Sequence, residues 1–186
     1  MKRNKAVLGF FIFLVVWLSP LAHAIDGELT AMGGYSRTNY SGRSYSTTKR
    51  YTGGLAVNLT SVTQIEASYT YTDTFFNYDP IQTTQTNEQI LSLSLIQAIV
   101  PSSWVIQPYV KAGGAQYNRK QSGTIDGVPT TPSNTKSPSL VLGAGVRLYL
   151  LRNFSLKVEL VSYLPDFKIR GLKDNFNAQG GISWHF

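Results

Sequence analysis

From about Glu28 to the last residue, apolar and polar side chains alternate at every second position, and that period limits what the chain can become. A repeat of two belongs to an extended strand, whose successive side chains point to opposite faces. Tyr51, Gly53, Leu55, Val57 and Leu59 alternate with Thr52, Gly54, Ala56 and Asn58. Ile65, Ala67, Tyr69 and Tyr71 alternate with Gln64, Glu66, Ser68, Thr70 and Thr72, and Leu91, Leu93 and Leu95 with Ser92, Ser94 and Ile96. The pattern returns over residues 106–114, 142–150, 154–161 and 177–186. It is weakest over 28–37, where Leu29, Ala31 and Tyr35 form the apolar face. Past residue 24, no segment keeps helical periodicity for three turns, and none approaches the roughly 20 apolar residues of a membrane-spanning helix. Eight strands of about ten residues result, the length at which a tilted strand crosses a bilayer.

The links between these strands alternate in length. Those near 60–62, 99–104 and 151–153 are short, whereas those near 38–48, 73–86, 118–138 and 165–175 are long and polar. Short turns on one rim and long loops on the other are the layout of a barrel built to cross a membrane. The expected fold is therefore all-β: an eight-stranded antiparallel up-and-down transmembrane β-barrel. An even strand count puts both termini on the short-turn rim. A soluble β-sandwich or lipocalin-like barrel also alternates, but with its apolar faces inward. Alternation alone leaves that choice open.

The N-terminus bears on the choice. Lys2, Arg3 and Lys5 precede an uncharged, largely apolar run over 6–18, Pro20 follows it, and Ala22, His23 and Ala24 give a small-x-small pattern. Those parts spell a secretory leader over residues 1–24, with one barrel domain over 25–186. The run is too short for a spanning anchor. There is no cysteine, so neither disulfides nor thiolate metal sites can contribute. The net charge of +7 includes three leader cations, so a mature chain would carry about +4. For an exported protein, that excess suits anionic lipid rather than nucleic acid.

The chain stops at the end of a strand: Gln179, Gly180, Gly181, Ile182, Ser183, Trp184, His185, Phe186. This stretch resembles the C-terminal assembly signal of outer-membrane barrels, with Gln179, Gly181, Trp184 and Phe186 in its four places. Such a signal works by β-augmentation, adding a strand to an edge of the barrel assembly machinery. Aromatic side chains gather near the expected strand ends, Trp104, Phe154, Trp184 and Phe186 at one rim and Tyr35, Tyr51 and Tyr71 at the other. That distribution suits the two water–lipid boundaries. Residues 108–114 (Pro-Tyr-Val-Lys-Ala-Gly-Gly) and 143–159 also resemble segments of the small outer-membrane β-barrel family, which includes the transmembrane domain of outer membrane protein A. The resemblance implies the Gram-negative outer membrane as location, with the terminal rim toward the periplasm, and lipopolysaccharide as a neighbour. With the sequence ending at Phe186, no peptidoglycan-binding domain and no cell-wall tether are expected.

Parity places Glu66, Lys111, Arg147, Lys157 and Glu159 inside, with Gln64, Gln107, Tyr109 and Tyr149. An eight-stranded barrel is just wide enough for its interior to be filled by side chains, so these charges should pair in a lumenal network. The family resemblance implies a plugged or at most narrow pore. A basic set at the loops and adjoining strand ends (Arg37, Arg43, Lys49, Arg50, Arg119, Lys120, Lys136, Lys168, Arg170, Lys173) faces Asp73, Asp79, Glu88, Asp126, Asp166 and Asp174. Two readings of that set stay open: contact with lipopolysaccharide phosphates, or plain solvation. The expected function is non-enzymatic, in envelope integrity or surface interaction through lipopolysaccharide contact or adhesion, with a host ligand left open. The alternative is a narrow channel for small or hydrophobic solutes. No phosphate loop or metal-spaced cluster is present, and no cofactor is expected. A lipid hydrolase is disfavoured because His185, the one histidine beyond the leader, stands on the terminal rim, away from the outer leaflet.

Overall fold

The computed structural model describes residues 26–40, 44–78, 82–101, 103–167 and 176–186. The leader over 1–24 lies outside these described residues. The strands are β1 (Gly27–Asn39), β2 (Tyr45–Asn58), β3 (Thr63–Tyr78), β4 (Gln82–Ala98), β5 (Ile106–Ile125), β6 (Val128–Pro129), β7 (Ser133–Leu151), β8 (Phe154–Pro165) and β9 (Phe176–His185). Each wall strand runs antiparallel to its neighbours. The order β4-β3-β2-β1-β9-β8-β7-β5 closes on itself through β4–β5 pairing, and the two-residue β6 only extends the tip of β5. Eight wall strands thus form a closed up-and-down barrel. Closure between first and last strands is in register from Glu28↔His185 to Gly33↔Gly180, and Gly27 and Phe186 exchange backbone hydrogen bonds of 2.9 and 3.0 Å.

Which face is buried decides between the two barrel types. Among the described residues, buried side chains comprise 24 polar or charged and 10 apolar ones, the reverse of a soluble core. Outside stand the leucines, valines and isoleucines, with Leu93 61% and Val158 60% exposed. A soluble barrel with this exterior would present water with a continuous apolar belt. The alternation is therefore that of a membrane barrel, and the lipocalin-like alternative falls away. Trp104, Trp184 and Phe186 are exposed toward the terminal rim and Tyr35 and Tyr51 toward the far rim, where interfacial rings belong.

The strands are longer than the sequence period suggests. β3, β4, β5 and β7 have 16, 17, 20 and 19 residues, and a bilayer crossing takes about 9–11. Much of what reads as long loop over 38–48, 73–86 and 118–138 is paired strand projecting beyond the wall. β3 and β4 stay paired to Tyr78↔Gln82, and β4 and β5 to Gln82↔Ile125. Alternation disappears there because neither face meets hydrocarbon. The ladder persists on β-branched threonines that bond across strands, such as Thr48–Thr74 at 3.2 Å and Thr83–Thr124 at 2.8 Å. At the tip, Asp126 and Gly127 both take positive φ, 50° and 78°, as a two-residue turn of the I′ kind demands.

Candidate functional site

Parity along five wall strands delivers six charged side chains to the terminal half of the lumen. Glu28 comes from β1, Glu66 from β3, Lys111 from β5, Arg147 from β7, and Lys157 and Glu159 from β8. All six are essentially fully buried. Arg147 Nη2 lies 3.0 Å from Glu28 Oε2, whose other oxygen is 3.5 Å from Lys157 Nζ. Lys157 Nζ reaches Glu66 Oε2 at 3.0 Å, and Glu66 Oε1 accepts from Lys111 Nζ at 2.6 Å. Lys111 also lies 3.5 Å from Glu159 Oε1. The six groups thus form one chain of contacts in strict alternation of sign: Arg147, Glu28, Lys157, Glu66, Lys111, Glu159. Its formal charge is zero. Glu28 is the member that sequence reading left out, and without it three cations would have faced two carboxylates.

Neutral groups take up much of the remaining hydrogen-bonding capacity. Tyr109 donates to Glu159 Oε2 at 2.9 Å, and its ring lies under the Arg147 guanidinium (4.8 Å) and the Lys157 ammonium (5.4 Å). Gly145 makes that stacking possible, since a Cβ there would overlap the Tyr109 ring. Arg147 also donates to Gln107 Oε1 at 3.0 Å and to Gln64, while Tyr149 donates to Gln107 Oε1 at 3.2 Å. Charges shut away from water are tolerable only when paired and hydrogen-bonded on this scale.

The C-terminal quartet divides between the two faces. Gln179 points inward, donating to Glu159 Oε1 at 3.0 Å and accepting from Thr52 Oγ1 at 2.9 Å. Gly181 sits where β9 crosses closest to β1, and a Cβ there would run into the Ala31 carbonyl. Trp184 and Phe186 point outward. Beside them, Ser155 Oγ and His185 Nε2 lie 3.1 Å apart, but Ser155 is fully buried.

The far half of the lumen is built differently. Above the ionic chain comes a layer of hydroxyls and apolar groups: Thr52–Thr70 at 2.9 Å, Ser68–Ser92 at 2.7 Å, and Ile90, Val141, Val161 and Tyr163 in contact. Beyond it, Glu88 accepts from Tyr117 and lies 4.0 Å from Arg119. Arg50 turns inward and is buried, donating from Nε to Thr72 Oγ1 at 3.1 Å. Counting Arg50 with the outer basic set is therefore incorrect: its parity matches Thr52, and the paired strand continues past it. Arg37, Lys49, Lys120 and Lys136 are exposed, while Arg43, Lys168, Arg170, Lys173, Asp79 and Asp174 lie outside the described residues. Cavities of about 770 Å³ at the terminal rim and about 480 Å³ at the far rim open at either end of this buried interior.

Solved structures of similar shape include several outer-membrane barrels. The N-terminal β-barrel domain of Pseudomonas aeruginosa OprF superposes with a TM-score of 0.59 at 20% identity, over 87% of this chain and 97% of that one. Neisserial surface protein A gives 0.54 at 13%, and Ail, the attachment invasion locus protein of Yersinia pestis, gives 0.53 at 13%, each over 87% and 97% of the respective chains. At such identities the likeness is one of fold. Among curated proteins, no sequence matches. The family model for the outer membrane protein beta-barrel domain matches residues 8–186. With that match added to the inside-out burial and the closed eight-stranded wall, the chain belongs to the outer membrane protein beta-barrel domain family.

Proposed function

We propose that this outer-membrane barrel is a closed, non-enzymatic wall element that serves envelope integrity and surface interaction rather than transport. The observation that carries this reading is the chain of six buried charges spanning the lumen, with every member in contact with an opposite charge. Opening a path would mean separating several buried ion pairs at once, which is strongly unfavourable. Surface interaction is supported by the projecting sheet. It carries exposed Arg37, Lys49, Lys120 and Lys136 beside an aromatic group in which Tyr40 stacks on Tyr78 (6.3 Å) and Arg37 lies over Tyr45 (4.9 Å). Cations with aromatic neighbours suit phosphorylated saccharide surfaces such as lipopolysaccharide. Against catalysis, the Ser155–His185 contact is closed to substrate by the burial of Ser155.

Planar-bilayer recording tests the closed reading: the protein should show no steady unitary openings. A narrow channel is the second reading, favoured by the cavities at both ends of the lumen. Steady openings abolished by Arg147→Gln or Glu159→Gln would establish it in place of the first.

Two further assignments belong with this reading. Residues 1–24 act as a cleaved leader, so N-terminal sequencing of envelope-extracted protein should begin at Ile25. Gln179, Gly181, Trp184 and Phe186 act as the assembly signal. Phe186→Ala should then lower the folded fraction in cells while refolding from urea into detergent proceeds as before. Equal loss in both settings would make Phe186 merely structural.

A further inference from the structure

Among the described residues, every buried charge of the lumen has an opposite charge within ion-pair distance except Arg50. Only 5% exposed, Arg50 spends its Nε on Thr72 Oγ1 at 3.1 Å and lies over the Tyr163 ring at 5.7 Å, while its Nη1 is buried with no hydrogen-bond partner. The carboxylate in the same row of the wall, Glu88, is already engaged by Tyr117 and Arg119. Thr86, two residues along β4 toward the far rim, has a buried hydroxyl oxygen that is also without a partner. Arg50 and Thr86 both line the far-rim cavity of about 480 Å³, with the hydroxyls of Thr72 and Ser137 around them and the carboxylates of Glu88 and Asp166 also on its wall. Glu88 acts on Arg50 only from beyond ion-pair distance, and a buried guanidinium without a directly paired carboxylate is costly until an anion neutralises it. Forked N–H groups beside free hydroxyls form the donor set of a tetrahedral oxyanion site.

We propose that the far-rim cavity binds one phosphate or sulfate group, held by the free Nη1 of Arg50 and the hydroxyl of Thr86. The cavity lies beyond the ionic chain, so this site stands whether or not the lumen conducts. Its ligand can be a free ion or a phosphate carried on a lipid headgroup, since the donors would meet either through the same oxygens.

Calorimetric titration of the protein extracted into a phosphate-free alkyl maltoside separates the possibilities. One arm uses inorganic phosphate and sulfate against chloride at matched ionic strength. The other uses bicelles containing lipid A with and without its phosphates. Saturable binding of one phosphate per chain in the first arm supports a free ion, and saturation confined to the phosphorylated bicelles supports the lipid-borne group. In either case Arg50→Gln should weaken binding at least about tenfold, the loss of a charged hydrogen bond. Thr86→Val, which keeps the cation and does not depend on the first variant folding, should weaken it by about fivefold. Arg152→Gln, which removes an exposed cation at the opposite, terminal rim, should leave binding unchanged. Absence of saturation in both arms overturns the site, as does binding that survives both lumenal substitutions or falls equally with Arg152→Gln.

Discussion

The two halves of the lumen handle buried charge in opposite ways. Toward the termini, three cations and three carboxylates neutralise one another in a single alternating chain. Toward the far rim, Arg50 is buried with hydroxyls and a ring, among the described residues no carboxylate lies within ion-pair distance of it, and a cavity opens there. Both halves descend from the same strands and the same parity, so the wall does not cause the difference. What differs is whether the buried cations each meet a carboxylate: in the row of Arg50, Glu88 is taken up by Tyr117 and Arg119. Where they do, the lumen is filled with ion pairs; where they do not, unpartnered polar atoms border a cavity.

Breaking the middle of the closed chain should have the largest effect. Lys157→Met takes one ion pair from each of Glu28 and Glu66 and leaves three carboxylates against two cations, and urea unfolding in lipid should show a loss of about 3–5 kcal/mol. Next comes the end of the chain, where Glu159→Gln leaves Lys111 still paired with Glu66 and should cost about 1–3 kcal/mol. The double variant Lys111→Met with Glu159→Gln leaves two cations and two carboxylates. It should cost less than the two single changes added together, and strict additivity would show that neutrality is not what holds the plug. Arg50→Met should change stability by about 1 kcal/mol or less in phosphate-free detergent; a loss as large as that for Lys157 would erase the distinction between the halves. Smallest is Gly127→Ala at the turn tip. It should cost about 1 kcal/mol locally, speeding amide exchange in the projecting arm and leaving the barrel unfolding midpoint in place.

The wall was legible because its parity is physical: one face meets hydrocarbon, so any slip in register would expose charge to lipid. The same rule carried further than its first use. Leu29 and Ala31 outward put Glu28 inward, yet the weakness of the first segment hid that partner. Tyr51 outward puts Arg50 inward, but a cation near a strand end reads as a rim residue when the strand is assumed to stop there. The strands run on because threonine ladders and the turn at Asp126 and Gly127 hold pairs in water, where no alternation is required. That turn was a local signal available in the residues themselves. Which carboxylate meets which cation could not be read from parity, since it depends on strand stagger around the closed barrel.

The most direct test is a label scan of β4 from Ile90 to Ile96, made simple because the chain has no cysteine of its own. Single-cysteine variants carrying a nitroxide, reconstituted in lipid, report collision with oxygen dissolved in the bilayer. Labels at 91, 93 and 95 should collide frequently and those at 92 and 94 rarely. The opposite phase, or a flat profile, would mean that the leucine face does not meet hydrocarbon and that the ionic chain is not enclosed.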